Sequence, residues 1–237
     1  MTANGRLSLE DNIFLAKRNL VDSIWKEARL EGIAVTYPQT ADVLEGRVVA
    51  DLSLEQNLAL NNLKQAWRYV LDEPHAIDFD ALKRLNLLIG QGGVVRYAGE
   101  LRDGLVRIGG TDFVPPVPNE NQVRSEFARI LTVEEPTMRA LLAFAWTCRS
   151  QLFRDGNKRT AQLIANDILV HSGEGILTVP IEAQGEFFGL LVAFYESNVP
   201  DELISFMREK CIEKPAIGKA DAPTKKAKDN LLETETH

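Results

Sequence analysis

The 237-residue chain is short of cysteine, histidine and methionine, with two, three and three of each. Cys148 and Cys211 are far apart and outside any metal-ligand spacing, which argues against a disulfide framework or a thiolate metal site and points to reduced thiols. No apolar run approaches the ~20 residues that a membrane-crossing helix needs. The opening Met-Thr-Ala-Asn-Gly-Arg has no apolar signal core behind it, so the sequence predicts a cytoplasmic protein with no membrane partner. Clustered basic residues are lacking as well. With 27 Lys and Arg against 34 Asp and Glu, the net charge is −7, which argues against nucleic acid as a partner.

What is present is an ordinary globular composition, 45% apolar and 26% charged. Most of the chain carries helical periodicity. Residues near 9–31 begin with Ser8 or Asp11 as caps and align Ile13, Leu20, Ile24 and Ala28. Pro38 breaks the chain, and a short helix from Gln39 to Leu44 stops at Gly46. Further helices are predicted over 53–71, 78–88, 121–131, 136–151, 157–172, 181–197 and 201–211. Between them, Gly90 to Pro118 is punctuated by glycine and closed by Val114-Pro115-Pro116-Val117-Pro118. Within that stretch Leu105-Val106-Arg107-Ile108 has strand-like composition, which predicts a small β-hairpin or extended flap. The fold class expected is mainly α.

The segment richest in chemistry is Phe153-Arg154-Asp155-Gly156-Asn157-Lys158-Arg159. A Gly-Asn break between two amphipathic helices leaves the first amides of the second helix free, at the positive end of its dipole. Lys158 and Arg159 in that first turn are disfavoured by the dipole unless an anion, such as a phosphate chain, occupies the site. Asp155, just before the turn, can hold a hard cation such as Mg²⁺ against phosphate oxygens. A helix-to-helix turn capped by Asp would need only part of this string.

These residues resemble the motif of the Fic/Doc family, His-Pro-Phe-x-Asp/Glu-Gly-Asn-Gly/Lys-Arg-x-x-Arg. The resemblance implies a Fic-type helical bundle over most of residues 9–212. It also implies ATP and Mg²⁺ as cofactors and AMP transfer to a hydroxyl on a protein target. By it, Phe153 is a core anchor, Asp155 a Mg²⁺ ligand, and Gly156, Asn157 and Lys158 the anion-binding turn. Arg159 would contact the nucleotide phosphates, and the flap from Leu105 to Phe113 would align the target by strand addition. A homodimer is compatible with it. The implied domains are an N-terminal helical segment (1–52) and a Fic-like core (53–213); after Glu213 the composition shifts to Lys, Ala, Asp, Thr and Pro, which predicts a disordered tail (214–237).

Two motif positions depart from the family. Gln151 stands where the family has His, its general base, and an amide accepts no proton near neutral pH. Gln162 replaces the last Arg, a second phosphate ligand. The N-terminal stretch around Glu31-Gly32 resembles the family's inhibitory segment, although position 27 is Glu rather than Ser or Thr, and Gly32 would also suit a plain helix C-cap. Two functions stay open at this stage. One is a transferase of weak or altered activity, with Asp155 or Glu31 orienting the attacking group. The other is a catalytically silent nucleotide-binding or protein-interaction module.

Overall fold

The computed structural model describes residues 6–214. The expected tail falls almost wholly outside them. Ten α-helices carry the described residues: α1 (Leu9–Arg18), α2 (Leu20–Leu30), α3 (Tyr37–Leu44), α4 (Leu54–Asp72), α5 (Phe79–Gly90), α6 (Glu120–Leu131), α7 (Pro136–Ser150), α8 (Asn157–His171), α9 (Gln184–Ser197) and α10 (Asp201–Lys210). One small antiparallel sheet pairs β1 (Ile176–Leu177) with β2 (Ile212–Glu213).

Local chemistry explains most boundaries. Ser8 caps α1 through the amide of Asp11. Thr36 and Gln39 form a reciprocal capping box that starts α3 at Tyr37. Pro38 therefore sits inside the first turn of α3 instead of breaking the chain before it, because a first-turn amide has no intrahelical acceptor to lose. The single helix expected over 9–31 is two helices, divided at Asn19, whose φ of −96° and ψ of 7° leave the helical region.

Helix α8 is the centre of the molecule. All its residues from Arg159 to Val170 are buried, and it packs on α7, α5, α4 and α1. Buried Asn166 donates to the Leu177 carbonyl at 2.9 Å and accepts from the Leu177 amide at 2.7 Å. That pair fixes β1 against the helix and satisfies backbone groups that the two-residue sheet leaves over.

The flap is extended, as one of the two sequence readings had it, and is not a paired hairpin. Residues 105–113 form no strand pairing, because side chains replace the missing ladder. Arg102, 2% exposed, donates to the carbonyls of Gly104 (2.6 Å), Pro115 (3.2 Å) and Pro116 (2.5 Å), which holds the two feet of the flap together. The prolines at the second foot could not have donated to a ladder.

Candidate functional site

The site is built where α7 ends and α8 begins. Gln151 closes α7 in the left-handed region, φ 44° and ψ 55°. Its side chain explains how a non-glycine residue is held there. Nε2 donates to the Cys148 carbonyl at 2.7 Å, and Oε1 accepts from Asn157 Nδ2 at 3.1 Å. Asn157 braces the turn a second time, accepting from the Phe153 amide at 3.0 Å and donating to the Phe153 carbonyl at 2.9 Å. Phe153 is fully buried beneath it. The Asn157 side chain is thus consumed by the turn, and only its main chain is available to an anion.

Gly156 is required by its conformation. It adopts φ 78°, and a Cβ there would lie 2.7 Å from Ile89 Cδ1 and 3.2 Å from Asn86 Nδ2. Asn86 in turn donates to the Asp155 carbonyl at 3.0 Å and to Thr160 Oγ1 at 3.1 Å. No side chain caps α8, so its first-turn amides keep the positive end of the helix dipole open.

A cavity of about 590 Å³ lies beside this turn. It is lined by Gln151, Arg154, Asp155, Asn157 and Lys158 of the turn, by Val106, Arg107, Ile108 and Gly109 of the flap, by Phe188, Leu191, Val192 and Tyr195 of α9, and by Glu31 of the α2 end. The sequence pattern had no means of finding the α9 wall. The Lys158 ammonium stands 5.6 Å from the Phe188 ring centroid. Burial pushes the Tyr195 phenol's pKa well up, so it stays neutral. Burial also raises the Cys148 thiol, which is no nucleophile at neutral pH. A second, more apolar cavity of about 540 Å³ lies beyond Phe113 and Arg149 and includes neither Gln151 nor any residue from Asp155 to Arg159.

The N-terminal segment reaches the site. Glu31 is the C-cap of α2 and Gly32 follows at φ 77°. Ile33 and Gly32 donate to the carbonyls of Ala28 and Arg29, a Schellman end. The cap reading of Glu31-Gly32 therefore holds. The Glu31 carboxylate lies 3.4 Å from Lys158 Nζ and 3.5 Å from Arg159 Nε, and Arg159 Nη2 is 3.4 Å from Asp155 Oδ2.

Two expected ligands are placed differently. Arg159, read as a phosphate contact, is 6% exposed and does not line the cavity; the anions it faces are Glu31 and Asp155. Gln162, at the family's second Arg position, is 1% exposed and also off the cavity, with neither amide atom partnered. A neutral side chain can be buried in α8 where a guanidinium would have to find an anion.

Behind Glu31, one turn back on α2, lies a second acid. Glu27 is 1% exposed, accepts from Trp67 Nε1 at 3.4 Å, and is pushed up to about 8 by burial, against the opposing pulls of Trp67 and Arg159. It is therefore neutral at pH 7. The described histidines lie elsewhere. His75 and His171 both face the fully buried Asp167, at 2.8 and 2.9 Å.

Residues 76–169 match the model of the Fic/DOC family. Among sequence relatives, the protein adenylyltransferase Fic of Drosophila yakuba is 26% identical over 187 residues, covering 74% of this chain and 37% of that protein. The one from Drosophila willistoni is 25% identical over 190 residues with the same coverage. The chain thus spans little more than a third of the length of these relatives. Among solved structures, Fic-1 (residues 134–508) of C. elegans superposes with a TM-score of 0.66 at 22% identity, over 84% of this chain and 64% of that one. A Fic family protein of Desulfovibrio desulfuricans superposes at 0.67 and 18%, over 84% and 69%. These likenesses share the fold. The family likeness itself lies in residues 76–169, which match the Fic/DOC model and contain the motif turn.

Proposed function

We propose that the chain binds ATP with Mg²⁺ at the uncapped start of α8, in a site that Glu31 closes. We further infer that AMP transfer from it to a protein hydroxyl runs about 10²–10⁴-fold below what a base at position 151 would allow. The observation that carries this reading is the Glu31 carboxylate itself. It sits against Lys158 and Arg159 beside an uncapped helix N-terminus, the place and charge that a phosphate would take.

Mg²⁺ would neutralise phosphate charge, with Asp155 as its protein ligand. The Asp155 side chain is 63% exposed at the cavity rim. One carboxylate completed by phosphate oxygens and water is the usual Mg²⁺ arrangement. Among the described residues no group of three or more His, Cys, Asp or Glu could hold a metal by itself, which suits a cation that arrives with the nucleotide.

In transfer, the acceptor oxygen attacks the α-phosphorus, the bond to the β-phosphate oxygen breaks, and pyrophosphate leaves. The acceptor's proton passes to water, because Gln151 offers no base, only an amide already bonded to Cys148 and Asn157. The extended, unpaired flap over the cavity supports its role as a strand template for the target.

The test compares the natural chain with Gln151→His by calorimetry and by labelling with radioactive ATP. Both should bind Mg-ATP, and only the histidine variant should label a protein readily. The reading fails if neither protein, nor Glu31→Gln, gives any heat of binding.

A further inference from the structure

The flap and the motif turn meet at a single side chain. Arg102 is 2% exposed, yet every acceptor recorded for its guanidinium is a main-chain carbonyl. Nη1 donates to Gly104 at 2.6 Å. Nη2 donates to Pro115 at 3.2 Å and Pro116 at 2.5 Å, and Nε donates to Gln151 at 2.5 Å. Its own amide donates to the Leu152 carbonyl at 2.9 Å. The neighbouring Asp103 does not neutralise it, since that carboxylate reaches outward to Arg154 at 2.6 Å.

A guanidinium presents its donors in a rigid planar fork, so four carbonyls gathered on one fork are fixed relative to one another. The cost of burying a cation without an anion is offset only while all of them stay in place. The four belong to the first foot of the flap, its second foot, and the left-handed residue that ends α7. Three otherwise independent segments are thereby held in one geometry.

We propose that Arg102 is the positioning residue that couples the flap to the motif turn, so that one buried guanidinium sets the height of residues 104–116 over the phosphate cradle. This deepens, and rests on, the reading of the cradle as a nucleotide site. Residues 106–109 line the same cavity as Gln151. A nucleotide at the turn and a target segment on the flap are then sensed by each other through Arg102. Lysine does not substitute, because a single ammonium cannot span carbonyls on both sides of the fork.

The test is amide hydrogen exchange on the full chain, for the natural protein, Arg102→Lys and Arg102→Met, with and without Mg-ATP. In both variants, exchange of the hydrogen-bonded amides of these segments, those of residues 102, 113 and 153, should rise at least about tenfold, the effect of one lost hydrogen bond to a charged group, while α4 and α8 keep their protection. Mg-ATP should slow exchange over 104–116 in the natural protein. In Arg102→Lys it should still bind but no longer slow the flap. Unchanged exchange in both variants overturns the proposal, as does a uniform rise along the whole chain in both, which would make Arg102 a general stabiliser. If the natural chain binds no Mg-ATP, the nucleotide reading falls, while the exchange of the unliganded proteins still decides whether Arg102 holds the flap.

Discussion

The Glu31 carboxylate lies 3.5 Å from Arg159 Nε, so the C-cap of α2 supplies the anion for the first turn of α8. Cations at a helix N-terminus oppose the dipole. In this protein the opposition is relieved internally, by a side chain from a distant part of the chain. Replacing Glu31 by Gln should free Lys158 and Arg159 and tighten Mg-ATP binding about five- to tenfold, equivalent to roughly 1 kcal/mol of partly buried ion pairing. Calorimetry on the two proteins checks it, and equal or weaker binding by the variant would show that Glu31 does not compete with the nucleotide.

Glu27 should be a net burden on stability near neutral pH. Its folded-state pKa of about 8 lies above the ordinary 4.5. The folded state therefore binds more protons than the unfolded state between those values, and stability falls as pH rises across that window. Glu27→Gln keeps an oxygen for Trp67 and removes the titration. It should gain about 1–3 kcal/mol at pH 7–8 and flatten the slope, as read from urea denaturation at several pH values.

The histidine pair should work in the same direction. His75 donates from Nδ1 to the Glu73 carbonyl at 2.7 Å and from Nε2 to Asp167 at 2.8 Å, and is stacked on Tyr69. Both ring nitrogens face acceptors, which favours the protonated ring, and hydrogen bonding to Asp167 raises the pKa values of His75 and His171 alike. A raised folded-state value means that this stabilisation is complete below about pH 6.5 and is lost as pH climbs through the folded values. His75→Gln should show a shallower fall of stability with pH over that range. A slope identical to that of the natural protein would refute the assignment.

Gly156→Ala combines an unfavourable left-handed φ with a Cβ 2.7 Å from Ile89 Cδ1. The expected loss is about 1–3 kcal/mol from overpacking alone, measured by chemical denaturation. Mg-ATP binding should fall with it, because the α8 amides move with the turn. Full stability with full binding would mean that the turn tolerates a side chain.

Much of the fold was legible because helical signals are local. Ser8, the Thr36–Gln39 box and Ser53 each act within three or four residues of the helix they start. The motif turn is equally local: Asn157 bonds Phe153 and Gln151 across a few residues. The misplaced details were those set by neighbours remote in sequence. Gln162 looks like a ligand position when only its helix face is considered, but α8 is wrapped on all sides and buries it. The flap reads as a strand from its β-branched residues, but no partner strand reaches it, and Arg102 ties its feet instead.

The sequence alone thus determined the helical class, the uncapped turn after Gly156, and an amide side chain at position 151. Each depends on residue type and on spacing within a few turns. Only the tertiary structure decided which groups meet at the site. Glu31 reaches Lys158 and Arg159 from α2, Tyr195 and Phe188 line the cavity from α9, and Arg102 joins flap to turn. Such long-range meetings follow from how amphipathic faces pack around α8, and no short-range pattern encodes them.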